Sequence, residues 1–195
     1  MNSPFLWEKL EDSEEFKKFK KENKDAYLCS GFFMIDLENK NPENKYHFDF
    51  YVPSSKKTFS FELEQGIKLV ELERFEEKWV LLKKEPNLVE NLKKGETDSL
   101  EKEELNRMEK VLMKDNFDFG EIKEMILKEM TEKKINNKIL KMIFSLQNQD
   151  GKDMLFGTIL LSGLGLLKMT FDISEKKVAD LEKKSFFDMM KIVKK

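Results

Sequence analysis

The sequence is poor in the residues that carry most catalytic and metal chemistry. Among 195 residues there is one cysteine, Cys29, and one histidine, His47. A single thiol excludes an intramolecular disulfide, and a zinc site of Cys and His ligands would need more of them than the chain holds. No metal and no cofactor is expected. Arginine is nearly as scarce, with only Arg74 and Arg107 among 36 basic residues. The bidentate fork that reads guanine edges and clamps phosphates is almost missing, so no specific nucleic-acid binding is expected. Most lysines alternate with glutamates, as in Glu14-Glu15-Phe16-Lys17-Lys18-Phe19-Lys20-Lys21-Glu22, the pattern of a solvated helix face. Against 38 acidic residues the formal net charge is only −2, which removes any simple case for a polyanion binder.

Long apolar runs are missing as well. Met154 to Leu167 is uncharged over fourteen residues, but crossing a bilayer takes about 20. With Gly157, Gly163 and Gly165 inside it, the run reads as two core strands and a glycine turn. The start, Met1-Asn2-Ser3-Pro4-Phe5-Leu6-Trp7-Glu8, has no basic segment followed by an apolar one and does not read as a signal peptide. No membrane association is expected, and a lone thiol fits a reducing cytoplasm.

What is present points to a folded α+β chain. Apolar residues make up 39%, and 17 Phe with 11 Met supply bulk for a core. Asp12-Ser13-Glu14-Glu15 is a capping-box start, and Phe16 and Phe19 mark one face of a helix over 13–23. Tyr27 to Leu37, Tyr46 to Val52 and Thr58 to Leu63 read as strands, the last two by alternation, with Ile67-Lys68-Leu69 as a short fourth. The turns fall at Asn39 to Asn44 and at Pro53-Ser54-Ser55-Lys56. Residues 74–98 lose this rhythm and form a partly helical connector between a first unit, 1–73, and a second, 99–195, with a C-terminal helix. In the second unit a helix is expected from Leu100 to Met113. Another, over 119–133, is capped by Asp118 and carries Ile122, Met125, Ile126 and Met130. Strands follow at Leu140 to Leu146, Leu155 to Leu161 and Leu167 to Ile173, the first two joined through Asp150-Gly151, a strong hairpin signal.

The halves match. Phe61-Glu62-Leu63-Glu64 aligns with Phe171-Asp172-Ile173-Ser174 at an offset of 110, and Phe33, Ile35 and Leu37 align with Met142, Phe144 and Leu146 at 109. Side-chain parity then requires an even turn between the second and third strands of the first unit. In the second unit it requires an odd one, a three-residue Ser162-Gly163-Leu164 loop with Gly165 in a bulge. Two helix-plus-meander units from an internal duplication are expected, each helix covering its own sheet. This order of elements resembles the PepSY and cystatin-like α+β folds. Phe171-Asp172-Ile173-Ser174-Glu175-Lys176-Lys177-Val178 resembles, in degraded form, the PepSY "D-x-x-T-G-E-V" hairpin. The whole chain also resembles small, lysine-rich archaeal proteins of uncharacterised activity. Neither resemblance implies an activity or functional residues.

Candidate chemistry is sparse. A hairpin turning near residue 41 sets His47 opposite about residue 35. Cys29 is then roughly 20 Å away at 3.3 Å per residue, too far for a thiol–imidazole dyad. Asp150, Gly151 and Asp153 lack the ligand series of a calcium loop. Gly163-x-Gly165 precedes a strand, not a helix, and is no dinucleotide fingerprint. No catalytic residues are assigned.

The strands themselves offer a surface. If Tyr46, Phe48 and Phe50 face a helix, the opposite face carries His47, Asp49 and Tyr51 with Phe32 and Met34. Its counterpart carries Ile143, Phe156 and Leu160 beside Lys141, Thr158, Lys168 and Thr170. Aromatic and aliphatic anchors inside a polar surround suit an interface with a protein partner, with a second copy of the chain, or between the two units. The expected role is a non-catalytic interaction module. The alternative is a binder of an apolar small molecule, or an enzyme built on Asp, Glu, Lys and Tyr, with its pocket between the units.

Overall fold

The structure is a computed structural model that describes residues 1–72 and 109–185. The expected connector 74–98, most of the expected helix 100–113 and any helix beyond residue 185 lie outside them.

Two short helices open the chain. In α1, Ser3–Glu11, the Asn2 side chain accepts the Phe5 N–H at 3.1 Å, and Pro4 sits in the first turn, where a missing N–H costs nothing. Leu6 and Leu10, one turn apart, are buried. This helix was not expected from the sequence, although Asn-Ser-Pro ahead of Leu6 and Leu10 is a legible start signal. In α2, Glu14–Glu22, Ser13 accepts the Phe16 N–H at 3.2 Å, and Phe16 and Phe19 are buried as their spacing predicts. The third described helix, α3, runs over Phe119–Glu132, with the Asp118 carboxylate accepting from Gly120 and Glu121.

Eight strands follow the alternation in the sequence: β1 Tyr27–Asp36, β2 Lys45–Val52, β3 Lys57–Glu62, β4 Lys68–Leu72, β5 Ile139–Gln149, β6 Lys152–Leu161, β7 Gly165–Asp172 and β8 Lys177–Ser185. The expectation of two separate sheets is corrected. All eight form one antiparallel sheet in the order β4-β3-β2-β1-β5-β6-β7-β8. The joint is a ladder between β1 and β5 that pairs Phe33 with Phe144 and Ile35 with Met142. Both strands are apolar on the helix side, so burying either edge in a neighbour satisfies its backbone groups and extends one core.

Turn parity came out as the sequence required. Val52 pairs with Lys57 across a four-residue turn, and Leu161 pairs with Gly165 across a three-residue loop. Gly165 itself sits in a regular ladder, not in a bulge, because Gly163 and Leu164 take the left-handed conformations, at φ 71° and 58°. The register shifts of the described ladders fall elsewhere, at Cys29 between Leu28↔Phe50 and Ser30↔Asp49, at Leu140 in β5 and at Ala179 in β8.

All three helices lie on one face. Trp7, Phe16 and Phe19 meet Phe50 at ring separations of 6.2, 5.1 and 5.9 Å. Over the joint, Phe119 contacts Phe33 at 5.2 Å and Phe144 at 5.6 Å. The described end of the expected helix 100–113 is not helical. Residues 109–113 are irregular because three of their N–H groups are taken elsewhere. Val111 donates to the Leu28 carbonyl at 2.9 Å, and Leu112 and Met113 donate to the Asp153 carboxylate at 3.0 and 2.7 Å.

Candidate functional site

With the helices on one side, the ladders define what faces the other. Glu62 pairs with His47, His47 with Phe32, Phe32 with Ser145, Ser145 with Phe156, Phe156 with Thr170 and Thr170 with Asp180. These residues form one row across seven strands, and Lys68 of β4 extends it to the eighth. Beside it runs a second row, Met34, Ile143, Thr158, Lys168 and Glu182. No described helix lies on this face.

All eight residues expected to form the binding surface stand on it. Phe32, Met34, Ile143 and Phe156 come together at its centre, astride the β1–β5 joint, and each is half-buried. His47 abuts Phe32, with ring centres 5.5 Å apart, and its Nε2 lies 3.0 Å from the Glu64 carboxylate. Asp49 accepts from the Ser30 hydroxyl at 2.7 Å. Tyr51 sits at a far corner against Tyr27, and Leu160 at the opposite corner, paired with Lys141 and Leu166. The margins are closed: Asp36, Ser60, Leu166 and Asp172 are buried. The Asp36 carboxylate accepts from the Asn39 side chain at 2.6 Å and faces Lys141 at 3.7 Å. The Asn39 hydrogen bond leads in holding its carboxyl down at about 2.

From the joint toward β8 the face dips into an open groove of about 430 Å³, lined by Phe32 of β1 and by Ile143, Ser145, Phe156, Thr158 and Lys168 among others from β5 to β8. Its far wall, Asp180 and Glu182, was missed by sequence reasoning because β8 alternates charge with charge around a lone Leu181. Glu64, the partner of His47, was also missed, since it follows β3 rather than lying in it. Lys168 has no ion pair among the described residues. A larger open cleft, about 870 Å³, lies at the end of the sheet between α1 and the 62–66 segment, with Lys9, His47, Glu62 and Glu64 on its walls. Among the described residues no group of three His, Cys, Asp or Glu side chains could hold a metal ion, and no described helix is long and apolar enough to cross a membrane.

No protein family matches the chain, and no curated protein matches it either. Among solved structures it is similar to the crystal structure of a "putative lipoprotein" from Clostridium difficile 630, at 15% identity and a TM-score of 0.47, covering 88% of this chain and 91% of that one.

The separation of Cys29 and His47 has a different cause from the one the turn predicted. His47 lies opposite Phe32, not residue 35, which places Cys29 only three positions further along β1. What parts them is their partners. The Cys29 thiol is buried in the bulge of β1 and donates to the Asp49 carbonyl at 3.3 Å, whereas the His47 imidazole lies 3.0 Å from the Glu64 carboxylate. Burial pushes the thiol up to about 12, so the nucleophilic thiolate is disfavoured.

Proposed function

We propose that this chain is a non-catalytic protein-interaction module that binds through the sheet face opposite its helices. The observation that carries this reading is the centre of that face, where Phe32, Met34, Ile143 and Phe156 form an apolar patch ringed by His47, Ser145, Thr158, Lys168 and Thr170. A patch of anchors inside a polar rim is the usual anatomy of an interface. An internal duplication of a PepSY-like unit is part of the proposal. It is supported by the same meander order on each side of the joint, and by Leu63 and Ile173, both buried just past β3 and β7 at the matching offset. Likeness to small archaeal proteins and a cytoplasmic setting belong to the same reading.

A photocrosslinking phenylalanine analogue at position 156 tests it, with the same analogue at the exposed Leu164 as control. The expected result is a protein adduct from position 156, lost when Phe32 is also changed to Asp, and none from 164. Equal labelling from both positions, or none from 156, refutes the proposal. The groove of about 430 Å³ favours a second reading, an apolar small molecule seated over Phe32, Ile143 and Phe156. Native mass spectrometry would then show a copurified mass that Phe156→Asp removes.

A further inference from the structure

We propose that the occupant of this face is a second copy of the same chain, packed sheet to sheet about a two-fold axis that runs along the joint between β1 and β5. The inference rests on the interaction reading above and names its partner.

Area is the first argument. Eight strands about 4.8 Å apart span roughly 34 Å, and the four face residues of a central strand cover roughly 20 Å. The footprint is on the order of 700 Å², close to the roughly 800 Å² that each partner contributes to a stable interface. Two sheets packing face to face through interdigitated side chains is an established way to cover such a surface.

Charge complementarity is the second. An axis along the joint sets each strand of one copy over its mirror position in the other: β1 over β5, β2 over β6, β3 over β7 and β4 over β8. In the central row this brings Lys68 over Asp180 of the other copy, and His47 over Phe156. In the adjoining row Met34 meets Ile143, apolar on apolar. Glu62 approaches Lys168, one row removed and within reach of a lysine stem. Asp180 and Lys168 are exposed and make no ion pair among the described residues, so both are free to pair across the interface, while Lys68 lies 3.5 Å from Glu62 of its own chain and would share its charge between Glu62 and the Asp180 of the other copy. The opposite pairing, β4 over β4, would stack Lys68 on Lys68 and Glu62 on Glu62.

Sedimentation of the full chain from about 1 µM to about 300 µM tests the inference. Wild type is expected to shift from monomer to dimer within that range. Phe156→Asp is expected to weaken the dimer by about tenfold or more, while Leu164→Asp does not. Circular dichroism establishes that each variant is folded. Lys68 and Asp180 are exposed on the outer strands, and Glu62→Gln is added to every charge-reversed chain so that Lys68→Asp does not face a carboxylate of its own chain. Lys68→Asp or Asp180→Lys alone should weaken association, and the two combined in one chain should restore it, a recovery that lost packing alone would not give. A chain that stays monomeric throughout overturns the inference, as does a double reversal that fails to recover. So does a crosslink from position 156 to another part of the same chain. If position 156 captures a different protein while the chain sediments as a monomer, self-association fails and the interaction reading stands. If it captures nothing, both fail.

Discussion

Cys29 occupies the one bulge of β1, where two successive side chains, Leu28 and Cys29, are both buried. Because burial raises its thiol to about 12, the native protein requires the neutral form. That requirement has no cost below the ordinary thiol range near 8.5, and it costs progressively more as pH climbs above it. Native protein at pH 8 should not react with Ellman's reagent, and should yield one equivalent after unfolding. Rapid native labelling would contradict the burial. Replacing Cys29 by Ala and His47 by Asn together should leave the fold intact at a cost of about 1 kcal/mol, read from a urea melt. Asp36 shows the opposite sign. Its carboxyl is held at about 2 by Asn39, the Glu38 and Asn39 N–H groups and Lys141. Its contribution is therefore whole above the unfolded value near 4 and is lost as pH falls toward 2. Asp25 and Asp172, also lowered by hydrogen bonds, act in the same direction. The urea midpoint should drop between pH 4 and 2, and the drop should shrink in Asp36→Asn.

At the scale of elements, Gly157 shows what packing asks of a central strand. A Cβ there would fall 2.4 Å from the Met169 Cγ and 3.1 Å from Phe144, so the position is kept empty to admit the Met169 side chain. Gly157→Ala should destabilise by about 1–3 kcal/mol. The penalty should be smaller in a Met169→Ala background, which a double-mutant cycle by thermal melts would measure. The strands were largely legible because alternation is a direct imprint of a half-covered sheet. Tyr46 to Val52 alternates in sequence and alternates in burial. Elements decided by distant partners were not legible. Val111 to Met113 reads as helical by spacing, yet its N–H groups serve Leu28 and Asp153, contacts that span 83 and 41 residues. β8 was read only as far as Val178 because beyond it Asp180, Glu182, Lys183 and Lys184 surround Leu181, its one buried side chain past that point.

For the molecule as a whole, the joint between β1 and β5 turns two meanders into one body. Nearly all the buried apolar side chains among the described residues form a single cluster that includes Leu6 and Phe61 from one half and Ile122 and Leu181 from the other. The halves should therefore unfold together. In a Trp79→Phe background, fluorescence of Trp7 in the first half and far-ultraviolet circular dichroism of the whole should trace coincident urea transitions. Separated midpoints would mean that the two halves are energetically independent. The candidate surface was legible residue by residue, since period-two parity fixes which side chains share a face. Its continuity across both halves was not, because nothing local in β1 or β5 announces that each is the other's neighbour.

That joint also bears on how the chain reaches its native state. Within each half, successive strands close over turns of a few residues, such as Asp150-Gly151, and such hairpins form in microseconds. Phe33 and Phe144 must instead meet across more than a hundred residues of intervening chain, and the entropy of closing that loop is spent before any contact repays it. The meanders are thus the early, local chapters of folding, and zipping β1 to β5 is its slow ascent. Until that step is complete, each half presents a bare apolar strand edge that a neighbouring molecule can occupy in place of the proper one.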